Sequence, residues 1–177
     1  MEPLRRPGLP TVVVVVGVSG VGKSTVMAEL ARLTGWRTAE GDDFHPPANV
    51  EKMRGGAPLT DEDRVPWLGA VADWIGAQEA AGASAIVTCS ALRRRYRDVL
   101  RGGHPSVWFA HLDLAQPVIE ARLDRRTDHF MPSTLLPSQL AILEALEPGE
   151  PGIVLDAFAS PDQSARLILK SLADEPG

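Results

Sequence analysis

The chain has 177 residues, 44% of them hydrophobic and 23% charged, with a formal net charge of −5. That length suits one soluble domain with a sizeable core, and the acidic balance excludes a dedicated nucleic-acid binder, which would carry a basic face. A single cysteine, Cys89, excludes an internal disulfide and sets the expectation of a reducing cytoplasm.

Residues 1–10, rich in proline and arginine, read as a flexible tail ahead of one domain over 11–177. The run Val12 to Val16 is too short to cross a bilayer, so no membrane association is expected. It is continuous, β-branched and followed by glycine, as a central parallel strand covered on both faces would be. A helix is expected from about Lys23 to Leu33 and a second strand over 36–40, leading into the acidic stretch GDDFHP (41–46) and a polar region. A long helix over roughly 66–81 carries Trp67, Leu68, Val71, Trp74 and Ile75 on its apolar face, with Pro66 in its first turn.

Strands over 84–89, 106–112 and 152–156 alternate with helices over 92–100, 117–126 and 161–173. The arginines of the first of these helices read as a solvated face, as charge runs usually are. Strict alternation predicts an α/β fold, a three-layer α/β/α sandwich around a parallel five-stranded sheet with right-handed crossovers.

Gly17 to Ser24, GVSGVGKS, matches G-x-x-x-x-G-K-[ST] at each fixed position and lies between strand and helix. Glycines let such a loop turn its backbone N–H groups inward, and the helix N-terminus adds positive potential. Gly17, Ser19, Gly20, Val21, Gly22, Lys23, Ser24 and Thr25 are the expected phosphate cradle. Lys23 would reach the β- and γ-phosphates, and the Ser24 hydroxyl would face Mg²⁺. Asn49, the only asparagine, is followed by valine, so the Asn-Lys-x-Asp guanine-reading motif is missing; Leu-Ser-Gly-Gly-Gln is missing too. A small-molecule kinase using ATP fits the length best.

Five motifs then occur together in order: the phosphate loop, GDDFHP, NVEKMRGGAPLTDEDRVPWL (49–68), CSALRRRYRD (89–98) and HFMP (129–132). Over nearly the whole chain from Val12 to about Pro148, this combination resembles the gluconate kinases, P-loop NTPases with a nucleoside-monophosphate-kinase-like fold related to shikimate and adenylate kinases. The resemblance implies ATP- and Mg²⁺-dependent phosphorylation of the 6-hydroxyl of D-gluconate, and a homodimer. It also implies a substrate segment over about 41–68 and a mobile lid over about 122–140.

A sugar acid needs cationic donors for its carboxylate and acceptors for its hydroxyls. Asp42 is placed to take the proton of the attacking hydroxyl. Glu40, two residues earlier on one strand face, would hold Mg²⁺ through a water. Asp43 then points to the opposite side. His45 either donates to a substrate hydroxyl or holds the loop. Arg64 and Arg93 are candidates for the carboxylate, Arg64 alternatively pairing with Asp61 or Asp63. Lys52 is a lesser substrate candidate, otherwise a surface lysine.

A Walker-B aspartate is not obvious: the third strand ends in Cys89-Ser90, while Asp113 and Asp156 end other strands, so Ser90 is a further candidate for metal or phosphate, and Cys89 reads as a buried apolar residue. In the lid, Arg126 matches the family's arginine that stabilises the transferred phosphoryl group. Arg122 stacks on adenine or contacts phosphate, and His129 locks the closed lid. The adenine end is expected near the loop after Asp156. Two alternatives stand beside this reading: another small-molecule kinase with a shikimate-like or nucleotide acceptor, or a non-catalytic nucleotide-binding regulatory module.

Overall fold

Five valines in a row, Val12–Val16, form β1, and all are completely shielded from solvent. β-branched side chains suit a pleated ribbon packed on both faces. Val13 and Val15 join one core, while Val12, Val14 and Val16 join the other. Each buried valine contributes about 1.5–3 kcal/mol from its apolar surface, as an upper bound. Parallel partners flank β1: β3 (Ala85–Cys89) on one side and β4 (Val107–Asp113) on the other. β2 (Arg37–Glu40) and β5 (Gly152–Asp156) complete a sheet of order β2-β3-β1-β4-β5, parallel throughout. The computed structural model describes residues 8–125, 133–157 and 159–175.

Helices cover both faces of the sheet. α1 (Lys23–Thr34), α5 (Gln116–Asp124) and α7 (Pro161–Asp174) contribute Leu30, Ile119 and Ile168 to the first core. α3 (Asp61–Ala80) and α4 (Arg94–Arg101) contribute Trp67, Val71, Ile75, Tyr96 and Leu100 to the second. The expected three-layer α/β/α arrangement is what the chain adopts. Two shorter helices, α2 (Pro47–Arg54) and α6 (Leu136–Ile142), sit at the end of the sheet where its strands point into loops. Met53, Leu59 and Leu135 form a small apolar cluster there.

The structure corrects the sequence reading in several places. α3 begins at Asp61, a turn and more before the expected start near Pro66, because Thr60 and Asp63 form a reciprocal capping box. That box holds the first turn, so Pro66 removes one intrahelical bond only on an exposed side. The polar region after GDDFHP contains α2, and residues Gly41–Phe44 form a 3₁₀ turn. Strand alternation therefore stops at Glu40 and does not decide where Asp42 and Asp43 point.

The arginine run is not uniformly solvated. Arg97 is completely buried, donating through Nε to Glu150 Oε1 at 2.7 Å and through Nη2 to Glu150 Oε2 at 3.0 Å. Arg126, His129 and the expected lid break at 127–132 lie outside the described residues. Among the described residues, no helix is long and apolar enough to cross a membrane.

Candidate active site

The phosphate loop leaves β1 and ends at Gly22, the N-cap of α1, with φ of +104°. That left-handed conformation strains any residue with a Cβ and is open to glycine. Lys23 curls over the loop, its Nζ donating to the carbonyls of Gly17 at 2.9 Å and Val18 at 3.0 Å. Gly20, Gly22, Lys23 and Ser24 line a cavity together with Ser19, Glu40, Asp42 and Thr88. The structure thus brings the predicted cradle together with both predicted acids.

Its donor set suits a hard cation. Ser24 offers a hydroxyl, and Glu40 and Asp42 offer carboxylates, the oxygen ligands Mg²⁺ prefers when phosphates complete the set. No cluster of three or more His, Cys, Asp or Glu that could hold a metal occurs among the described residues. A Mg²⁺ ion held here with substrate phosphates would need only one or two protein carboxylates.

Thr88, buried at the end of β3, organises the acids. Its hydroxyl donates to Glu40 Oε2 at 2.6 Å and accepts from the Gly41 N–H at 3.2 Å. The backbone of Gly41 lies so close to β3 that a Cβ there would stand 2.0 Å from the Thr88 carbonyl oxygen. Only glycine fits, and the close approach carries Asp42 toward the phosphate loop while Asp43 faces solvent.

On its other side Asp42 lines a second cavity with His45, Arg64, Trp67, Ser90 and Gln139. His45 stacks on Trp67, ring centroids 4.2 Å apart and planes 17° apart. The Trp67 indole N–H donates to the Gly41 carbonyl at 2.8 Å, tying α3 to the acidic turn. Burial pushes the His45 imidazole down to about 4, with Asp42 opposing and Arg64 reinforcing the shift. The ring is therefore neutral. With Asn49 Nδ2 donating to Nδ1 at 3.3 Å, the ring proton lies on Nε2, 3.9 Å from Asp42 Oδ1.

Arg64 reaches the same cavity. Its Nη1 donates to the Leu59 carbonyl at 2.7 Å and to the Tyr96 hydroxyl at 3.3 Å, and the guanidinium lies 5.3 Å from the Tyr96 ring centroid. The acids weighed as its partners are engaged elsewhere: Asp61 with Arg95 and Tyr96, and Asp63 with Lys52. Asp63 is held down at about 2, chiefly by the Lys52 hydrogen bond and the Thr60 N–H. Lys52 thus braces the start of α3, Nζ to Asp63 Oδ2 at 2.6 Å, and does not line the acceptor cavity. Arg93, the N-cap of α4, is also outside that lining, with its Nε buried and without a hydrogen-bond partner among the described residues.

A third cavity, of about 300 Å³, lies beyond the phosphate loop between Gly22, Thr25, Arg122, Ala157, Ala159 and Pro161. It occupies the place expected for the adenine end, after β5. Arg122 Nη1 donates to the Val21 carbonyl at 3.1 Å, which seats it against the loop. Cys89 is buried, and burial pushes its thiol far above the ordinary range, so it is no nucleophile.

Sequence reasoning missed Thr88, Tyr96 and Gln139, and saw Trp67 only as core. Their partners lie 26 to 120 residues away, and no local spacing marks them.

No family model matches the chain. It is 52% identical to a gluconokinase of Gluconobacter oxydans (strain 621H) over 153 residues, covering 86% of each chain. The crystal structure of a gluconokinase from Sinorhizobium meliloti 1021 superposes with a TM-score of 0.80 at 40% identity, covering 95% of this chain and 94% of that one. An unliganded sugar kinase from Janibacter sp. HTCC2649 superposes with a TM-score of 0.88 at 54% identity, covering 93% and 95%. With a phosphate loop, an acidic turn and an arginine converging at one end of a parallel sheet, and with this identity along most of its length, the chain belongs to the gluconokinase family.

Proposed function

We propose that this protein transfers the γ-phosphoryl group of ATP to the 6-hydroxyl of D-gluconate, giving 6-phospho-D-gluconate and ADP. The observation that carries the reading is the position of Asp42, which lines both the phosphate-loop cavity and the cavity holding Arg64. A hydroxyl between them would meet a carboxylate on one side and the cradle on the other.

In this reading Arg64 binds the substrate carboxylate and His45, neutral, hydrogen-bonds a hydroxyl. The substrate oxygen attacks the γ-phosphorus, the bond from that phosphorus to the β–γ bridging oxygen breaks, and the hydroxyl proton passes to Asp42. In a loose transition state the base chiefly orients its nucleophile, while Lys23 carries developing charge. Ser24 and Glu40 would hold Mg²⁺, which when bound neutralises charge on the phosphates. Arg122 seats the nucleotide beside the loop. Arg126 and His129 rest on the family resemblance, as does the expected homodimer, and the cytoplasm rests on the single cysteine; Arg93 and Lys52, read as cations for the substrate carboxylate, are not among the residues that line the acceptor cavity.

ADP release from Mg²⁺-ATP with gluconate, shikimate, AMP and glucose in parallel tests the acceptor. Turnover with gluconate alone is expected, and turnover only with another acceptor would overturn the substrate assignment. Asp42→Asn is expected to lower kcat about 10²–10⁴-fold while ATP binding survives. Unimpaired turnover would remove Asp42 as the base.

A further inference from the structure

The acceptor cavity and the phosphate loop meet at a second point besides Asp42. Gln139, on α6, is buried and lines the acceptor cavity with His45, Arg64 and Ser90. Its Oε1 accepts a 2.7 Å hydrogen bond from the backbone N–H of Ser19, 120 residues away. Ser19 is itself buried in the middle of the phosphate loop and lines the cavity of Lys23, Ser24 and Asp42. Backbone N–H groups are the donors with which such a loop binds anions. One of them is therefore controlled from the acceptor side.

We propose that Gln139 is a positioning residue that couples acceptor binding to the phosphate loop. The inference rests on the gluconate reading of the acceptor cavity. A primary amide presents a carbonyl acceptor and an amino donor on one rigid plane, so the two ends cannot be reoriented separately. A polyol hydroxyl that hydrogen-bonds this amide moves the carbonyl that holds Ser19. Buried hydrogen bonds respond strongly to such shifts because no water replaces a lost partner. Gluconate binding then changes the loop's affinity for phosphate, and by thermodynamic reciprocity ATP changes the affinity for gluconate by the same factor. A glutamine that only packed α6 against the loop would alter either affinity without linking them.

The test measures the dissociation constant of a non-hydrolysable ATP analogue with Mg²⁺, with and without saturating gluconate, in the full-length protein. For the unmodified protein a change of about fivefold or more is expected, within the usual span of coupling between sites. Gln139→Met keeps the length and packing of the side chain and removes both polar ends, so the ratio should fall to near one while each ligand still binds. Gln139→Ala, compared by melting temperature, serves should the thioether disturb the fold. A ratio in either folded variant equal to that of the unmodified protein overturns the inference, as does an unmodified protein that turns over gluconate without any coupling. Failure of the unmodified protein to turn over gluconate is a different result, which overturns the acceptor reading and the inference with it.

Discussion

Arg64 is aimed by a tyrosine. The Tyr96 hydroxyl donates to Asp61 Oδ1 and accepts from Arg64 Nη1, while its ring lies beneath the guanidinium. Burial and the Asp61 hydrogen bond raise the Tyr96 phenol above its ordinary value, so it remains a neutral donor at working pH. Tyr96→Phe keeps the ring face and its cation–π contact and deletes the hydroxyl. Losing one hydrogen bond to a charged group, about 1.5–3 kcal/mol, should raise the KM for gluconate roughly 10- to 100-fold with little change in the KM for ATP. Steady-state kinetics with each substrate varied in turn checks this, and an unmoved gluconate KM would mean that the Leu59 carbonyl alone orients Arg64. Arg64 and Asp42 were both legible in the sequence because each sits in a short motif. Tyr96 lies within the quoted stretch 89–98, but its role was not legible, since it comes from a residue 32 positions away.

At the scale of elements, Arg97 joins α4 to the segment after α6. Besides Glu150, its guanidinium donates to the carbonyls of Glu144 at 2.9 Å and Ala145 at 3.1 Å, and it also reaches Ala91 and Leu92. Leu92 lines the acceptor cavity, so this buried pair holds one wall of the site. Removing one member leaves a buried charge without its partner, which costs about 3–5 kcal/mol. Glu150→Ala should lose that much in urea unfolding at neutral pH. A loss below about 1 kcal/mol would show that the carbonyls suffice to solvate the guanidinium. The sequence could not separate Arg97 from its solvated neighbours, because its carboxylate partner is 53 residues away.

For the whole molecule, His45 and Glu150 are two of the groups that shape stability on the acid side. His45 is lowered from 6.5 to about 4, so between these values the unfolded chain binds a proton that the folded chain does not. Stability therefore rises with pH across that window and falls as pH drops through it. For Glu150, burial opposes ionisation, but the Arg97 hydrogen bond, the Glu147 N–H and the nearby arginine charges outweigh it and leave the carboxyl below its ordinary 4.5. Its contribution is present above 4.5 and is lost as pH falls through the lowered value. Unfolding free energies at pH 7, 5.5 and 4.5 should decline for the unmodified protein and decline less for His45→Gln. Parallel declines would mean that another group carries the proton uptake.

The phosphate loop, the alternation of strands and helices and the acidic turn were set by the sequence itself. A cradle built from successive backbone N–H groups needs contiguous residues, and a fully buried parallel strand needs an unbroken apolar run. Tertiary structure alone decided which side chains hold these parts in register. Thr88 braces Glu40, Gln139 takes the Ser19 N–H, and Glu150 pairs with Arg97. A polar side chain's role depends on what shares its buried volume, and folding rather than spacing along the chain chooses those neighbours.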